Sequence, residues 1–239
     1  MHASNTYLSF VGLEPTPARH GLTLGEIVAW RASVEGVAPH LLTVLTASDE
    51  DESQWDRPMV APSPNMPNAE TAVVYPGGCL LEGTNLSEGR GTTRPFLLWG
   101  APWMNADRIA DSARAFDLRG VVVRPHVFEP KFHKFGNERV RGVEMHVLDR
   151  AAFEPVRAYA SLIAACAQMH PDAFRFRTER YEYRSDVPAI DLLTGGAAYR
   201  EAVLHGDDPA QIGREFAGTG EPEAHMVRAA RDAVRLYAS

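Results

Sequence analysis

Residues 79–95, Cys-Leu-Leu-Glu-Gly-Thr-Asn-Leu-Ser-Glu-Gly-Arg-Gly-Thr-Thr-Arg-Pro, gather side chains that can do chemistry and almost nothing that a core can use. Glu82 and Glu88 offer two carboxylates, and Arg90 and Arg94 offer planar donor forks suited to a carboxylate, a phosphate or an acidic sugar. Glycines at 83, 89 and 91 free the main chain to take positive φ and to approach a ligand closely. Charge and backbone freedom together point to a ligand site. A solvated turn whose charges pair with one another is the plainer alternative.

Other chemistries fit less well. Glu88-Gly-Arg-Gly-Thr-Thr-Arg94 lacks the lysine and the spacing of a phosphate-binding P-loop. His126, Glu129 and His133 have the residue types of a metal site. Pro130 interrupts them, however, so they cannot share one helical face, and no metal or other cofactor is expected. No Ser-His-Asp order or Cys-His arrangement stands out. His146 lies in an alternating segment and either faces a cleft or is a half-buried histidine with its bonds satisfied. His20, at the start of a turn, is ambiguous in the same way. Tyr75, Trp99 and Trp103 flank the polar segment and could stack on a ring, or serve as core aromatics with one wet edge.

The elements that must position these groups are readable from local signals. Thr23-Leu-Gly-Glu26 is a capping box, so a helix follows it to Gly36. Leu41–Thr46 reads as a short buried strand, and the acidic run 49–52 as a solvated loop. Prolines at 62, 64 and 67 stiffen an extended lead into Asn68, which caps a helix that Pro76-Gly77-Gly78 ends. Phe96–Trp99 is expected as a strand. Asn105 starts a helix through Ile109, Ala113 and Phe116. Val121–Phe128 and Val140–Leu148 are the strongest strands, the latter alternating Val143, Met145 and Val147 with Glu144, His146 and Leu148. Phe153–Met169 is a four-turn helix. Phe174–Ser185 is a strand or extended loop, and 190–193, 197–204 and 209–216 are short helices. An amphipathic helix over 223–236 ends the chain. Strands alternating with helices give a mixed α/β fold, a mixed sheet flanked by helices, with no boundary placed within residues 1–239.

The series Pro-Ser-Pro-Asn-Met-Pro (62–67), Tyr-Pro-Gly (75–77), Leu-Leu-Glu-Gly-Thr-Asn (80–85), Ser-Glu-Gly-Arg-Gly-Thr-Thr-Arg-Pro-Phe (87–96) and Gly-Ala-Pro-Trp (100–103) resembles the NamZ-like exo-β-N-acetylmuramidase family, once known only as a domain of unknown function. Arg-His-Gly-Leu-Thr-Leu-Gly-Glu (19–26) and Arg-Gly-Val-Glu-Met-His-Val-Leu-Asp-Arg (141–150) extend the resemblance, which runs from about Phe10 to about Ile190. It implies a two-domain protein in which a Rossmann-like half comes first and the cleft lies between the halves. On that view residues 1–239 are the C-terminal α/β domain without the N-terminal half. The partner would be that half or a second copy of this chain.

The same resemblance implies a glycosidase directed at peptidoglycan, releasing terminal N-acetylmuramic acid from a muropeptide or peptidoglycan fragment. Such reactions usually use two carboxyl groups, about 5–5.5 Å apart for retention and about 6.5–9.5 Å for inversion. Glu82 and Glu88 are the catalytic candidates. Six extended residues could separate them by about 20 Å, so the intervening segment must turn back for them to converge. Arg90 and Arg94 would read the lactyl carboxylate, and Asn65 and Asn85 the sugar hydroxyls or the N-acetyl group. Thr92 and His146 complete the expected substrate-binding set. A binding module without hydrolysis and a purely structural part stay open beside this reading.

Bulk properties narrow the field. The 239 residues carry a net charge of −7, which argues against a nucleic-acid backbone as partner. No stretch has the roughly 18 apolar residues of a membrane span. No signal peptide is visible, so a cytoplasmic setting is the default expectation. Cys79 and Cys166 are expected as two reduced thiols.

Overall fold

A computed structural model describes residues 5–13, 20–46, 60–218, 234 and 236. They fall into two compact units, one built from 5–13 with 60–218 and the other from 20–46 with 234 and 236. In the second unit, helix α1 (Leu24–Val34) starts at the expected capping box. Glu26 N bonds to Thr23 Oγ1, and Thr23 N returns the bond to Glu26 Oε2. The other Glu26 carboxylate oxygen accepts from the amide of Leu236. Residues 42–46 pair with no strand among the described residues. Leu41 and Leu45 are exposed, so the expected strand there is not found. An apolar run becomes a strand only where a ladder partner is available, and periodicity does not supply one. The acidic run 49–52 and most of the expected terminal helix lie outside the described residues.

The first unit is a three-stranded antiparallel sheet against helices, which is the mixed α/β class expected. Its strands are β1 (Leu98–Ala101), β2 (Val121–Phe128) and β3 (Val140–Val147), in the order β1-β3-β2. The register pairs Trp99 with Val143, Val123 with Met145 and Arg124 with Glu144. Because side chains alternate along each strand, Trp99, Ala101, Val123, Val143 and Met145 enter the main core from one face. The helices behind that face are α2 (Ala69–Gly78), α3 (Ala106–Ala115), α4 (Pro155–Met169), α5 (Ala189–Thr194), α6 (Ala198–His205) and α7 (Pro209–Gly218). Small residues let α4 bury almost its whole surface, with Ala158 through Cys166 all fully enclosed. α2, α3, α6 and α7 pack around it. None of the helices among the described residues is long and apolar enough to cross a membrane.

Two local departures shape the site. Helix α2 does not stop at Pro76 but runs to Gly78 and continues as a 3-10 turn over Cys79–Gly83. Gly77 and Gly78 serve packing here, not termination. A methyl group on Gly77 would lie 2.1 Å from the Pro155 carbonyl oxygen, and one on Gly78 would lie 3.1 Å from Phe96. Strand β1 begins two residues later than Phe96–Trp99 suggests. Phe96 takes φ +66° and sends its amide back to the Glu88 carbonyl, at 2.6 Å, which holds it out of the ladder. Residues 174–185 form only isolated bridges, Thr84 with Phe176 and Tyr181 with Arg184. The two cysteines are free.

Candidate active site

The second face of the sheet is divided. Leu98, Phe128 and Val140 make an apolar end with Phe135 packed on it, while Arg124, His126, Glu144 and His146 make a polar end. Residues 84–96 fold back beside this face. Ser87 and Gly100 exchange backbone hydrogen bonds, and the Phe96-to-Glu88 bond closes the loop. Two glycines make the fit possible. Gly89 has φ +72° and sits where a methyl group would meet the Leu98 carbonyl oxygen at 2.2 Å. Gly91 has φ +85° and lets the backbone of residues 131–132 dock, with the Lys131 amide donating to the Gly91 carbonyl.

That docking delivers His133 and Lys134 to Glu88, whose carboxylate is 1% exposed. His133 Nδ1 lies 3.0 Å from Glu88 Oε1 and Lys134 Nζ 3.1 Å from Oε2. Arg90 Nε approaches the same carboxylate at 3.2 Å, while its Nη2 donates to Glu82 at 2.7 Å. One guanidinium thus holds both catalytic candidates, so the segment between them does turn back. The Arg90 guanidinium also lies over the Phe96 ring, 5.5 Å from its centroid. Glu82 in addition accepts from the Tyr181 hydroxyl at 3.0 Å. Burial alone would raise the pKa of Glu88. The His133 hydrogen bond and the Lys134 charge overcome that and pull it down to about 2. Burial, followed by the charge of Glu82 and the hydrogen bond to it, pushes the Tyr181 hydroxyl well up.

Arg94, only four residues from Arg90, belongs to a different cluster. Its Nε lies 2.8 Å from Glu144 and its Nη1 3.2 Å from Glu70. Glu144 is 4% exposed although strand alternation puts it on the face away from the core. Arg94 from the loop and Arg124 from β2 make that burial tolerable. Arg124 Nε donates to His146 Nε2 at 2.7 Å, and His126 Nδ1 sits 3.3 Å from Glu144. Burial opposes the charge on Glu144, but His146 and the two arginines hold its carboxyl below the ordinary value.

The other expected residues brace the loop. Asn85 donates to the Ala173 carbonyl and accepts from the Arg175 amide, tying the loop to residues 173–175. The Thr92 hydroxyl donates to the Gly89 carbonyl and accepts from the Arg94 amide. Asn65 lies in a turn closed by Ser63 and Met66, and no hydrogen bond joins it to either cluster among the described residues. His126 and His133, weighed together as metal ligands, attach to different carboxylates.

Two concavities adjoin these clusters. The larger, about 510 Å³, is lined by Thr84 and Asn85 from the loop, by His133, Lys134 and Phe135, and by residues 175–177 with Glu179. A volume in this range, with apolar walls and a few polar groups, suits a small-molecule ligand. The smaller, about 210 Å³, includes Glu70, Arg94, His146 and Arg150. Sequence reasoning missed the roles of Lys134, Glu144 and Tyr181. Glu144 carried a signal as a charge between two core positions of a strand. Tyr181, 99 residues from Glu82, carried none.

Family comparisons coincide with this architecture. The C-terminal model of the exo-β-N-acetylmuramidase NamZ matches residues 73–237, and the N-terminal model matches residues 1–70. The chain belongs to the NamZ family. It spans both NamZ models, so it is more than a match to the C-terminal one alone. The peptidoglycan β-N-acetylmuramidase NamZ of Bacillus subtilis (strain 168) is 39% identical over 209 residues, which are 86% of this chain and 49% of that protein. The chain therefore spans about half the length of this NamZ relative. Two DUF1343 family proteins of Bacteroides fragilis NCTC 9343 share the fold. One has a TM-score of 0.80 and 23% identity, covering 99% of this chain and 61% of its own. The other has a TM-score of 0.68 and 25% identity, covering 98% and 60%.

Proposed function

We propose that this chain takes part in releasing terminal N-acetylmuramic acid from peptidoglycan fragments, with loop 82–94 forming one wall of the sugar site. The observation that carries this reading is the cavity of about 510 Å³ beside the loop, where Phe135 and Phe176 adjoin a cationic rim. Aromatic walls suit the apolar face of a sugar ring, and a cationic rim suits the acid that distinguishes muramic acid from glucosamine. The 39% identity to a protein named as a peptidoglycan β-N-acetylmuramidase supports the same substrate class.

Within this reading the arginines divide by availability. Arg175 spends its guanidinium on the carbonyls of Pro171, Asp172 and Phe174. Arg90 is engaged by Glu82, Glu88 and the Phe96 ring. Arg177 bonds the Arg180 carbonyl, lies 3.6 Å from Glu179 and sits over the Tyr181 ring, but it touches no buried carboxylate among the described residues and is the fork best placed on the rim to take the lactyl carboxylate. Arg94 would serve a neighbouring acidic group at the smaller cavity. Of the two carboxylates, Glu82 is the more exposed, at 11% against 1%, while Glu88 acts through the side chains it holds. The remaining length of the NamZ relatives, or a second copy, would complete the cleft, and cell-wall recycling is the natural setting.

The test is turnover of a chromogenic β-N-acetylmuramide against the matching β-N-acetylglucosaminide. Preference for the muramide, rising by orders of magnitude when the rest of the relatives' length is supplied, is the expected result. Saturable muramide binding without turnover in either form would favour a binding module, whose best support is that Arg90 holds both carboxylates. Absence of both binding and turnover would overturn the reading.

A further inference from the structure

The proposed hydrolysis needs a group that can both give and take a proton at the sugar, and Glu88 is unsuited to that task. It is sealed from solvent and surrounded by two cationic side chains, Arg90 and Lys134, and the His133 imidazole. His133 is different. Its side chain is 40% exposed, it lines the large cavity, and its Nδ1 is turned inward onto Glu88. Nε2 has no partner among the described residues. A buried carboxylate placed 3.0 Å from one imidazole nitrogen of a residue that lines a cavity is an arrangement by which proteins orient a histidine and leave its other nitrogen for chemistry.

The backbone supports a functional reading of this position. His133 has φ +70°, Phe135 +57° and Asn137 +62°, three non-glycine residues at alternate positions in the left-handed region. Such conformations persist only where the surroundings impose them, and they gather at functional sites. Here the restraints are explicit. Asn137 N bonds the Pro130 carbonyl, Gly136 N bonds that of His133, and Phe135 packs on the apolar end of the sheet. Lys134 clamps the segment to the loop through the Leu81 and Leu86 carbonyls and Glu88. Bonded to two backbone carbonyls and ion-paired with Glu88, Lys134 braces the site.

We infer that His133, held by Glu88, is the general acid–base of the sugar site, a role that rests on the muramidase reading above. Protonated Nε2 gives its proton to the glycosidic oxygen as the bond from that oxygen to C1 breaks, and the electron pair leaves with the oxygen. Water then bonds to C1 through its oxygen and loses a proton to Nε2, so the imidazolium is restored and one water is consumed. The charged groups around the imidazole are Glu88, with Lys134, Arg175, Arg177 and Glu179 lining the same cavity.

Because the backbone at 133 has positive φ, glycine is the substitution that this position accepts best, and His133→Gly is expected to fold. With the chromogenic muramide, His133→Gly and His133→Gln should lose about 10²–10⁴-fold in kcat with KM changed less than threefold. Added imidazole should restore part of the rate to His133→Gly and none to His133→Gln, which fills the site. In parallel, imidazole 15N resonances of the full chain are followed on adding methyl β-N-acetylmuramide. The expected result is a His133 protonated at Nδ1 whose Nε2 signal moves with the ligand. If the ligand shifts Phe176 and Arg177 but leaves Nε2 unmoved, or if His133→Gln keeps wild-type kcat, the assignment to His133 is overturned while the sugar site stands. If the ligand shifts none of these residues, the sugar site itself is wrong. Should the wild-type chain not turn over, the resonance experiment decides alone.

Discussion

Replacing Glu88 by glutamine keeps the side-chain shape but removes the charge that Arg90, Lys134 and the His133 imidazole surround. The carboxyl is drawn from an ordinary 4.5 to about 2 in the folded chain. A tenfold change in proton affinity is about 1.4 kcal/mol, so its ionisation contributes on the order of 3 kcal/mol of stability. At 1% exposure little of this is screened by solvent. Removing one member of a buried ion cluster independently suggests a loss of about 3–5 kcal/mol, because Lys134 and His133 are left beside a neutral amide. The sign of the pH dependence follows from a depressed carboxyl. The stabilisation is fully present above pH 4.5 and disappears as the pH falls through about 2. Hydrogen exchange of the β3 amides, which belong to the unit carrying Glu88, measures this. Glu88→Gln should lose roughly 3–5 kcal/mol at pH 7, and the gap to wild type should narrow steadily below pH 4.5. A loss under about 1 kcal/mol, the scale of a surface ion pair, would refute the reasoning. So would a gap independent of pH between 6 and 3.

Three further outcomes follow from the same geometry. Gly89→Ala should destabilise this unit by more than the roughly 1–2 kcal/mol that a left-handed backbone alone costs, because its new methyl would meet the Leu98 carbonyl. Gly206→Ala, also at positive φ but with nothing within 4 Å, should cost only the backbone amount, and denaturant titration showing equal losses would contradict the packing argument. Tyr181→Phe should lose about 1.5–3 kcal/mol as a hydrogen bond to a charged group disappears, and an unchanged unfolding midpoint would mean that Glu82 is held by Arg90 alone. Arg94→Lys keeps the charge but cannot bridge Glu144 and Glu70 as a fork. It should weaken protection of the Glu144 amide in hydrogen exchange, and full protection would show that Arg124 suffices.

Much of this was legible in the chain because local rules govern it. The Thr23 capping box, the Asn68 and Asn105 caps, strands β2 and β3 and the long helix α4 all formed where spacing and capping chemistry placed them. The density of charge and glycine in 82–94 pointed to a ligand site, with a turn of self-paired charges as the alternative, and carboxylate–arginine pairs are found there. What could not be read was partnership over distance. Arg90 and Arg94 look equivalent in sequence, yet one closes on Glu82 and Glu88 and the other crosses to Glu144. His133 was legible only as a metal candidate. Its place beside Glu88 depends on Gly91 admitting a backbone 40 residues away, which no local pattern encodes. The run 41–46 failed for the same reason in reverse, having strand composition but no neighbour to pair with.

The central claim is that the cavity flanked by loop 82–94 receives an acidic N-acetylated sugar. Titrating the 239-residue chain with methyl β-N-acetylmuramide and with methyl β-N-acetylglucosaminide, while following backbone amide resonances, tests it most directly. A charge-assisted hydrogen bond to the lactyl carboxylate contributes about 1.5–3 kcal/mol, so the muramide should bind at least about tenfold more tightly. The shifts should centre on Thr84, Phe176 and Arg177, and Arg177→Lys should reduce the difference between the two sugars. Equal affinities, or shifts that leave those residues untouched, would contradict the account.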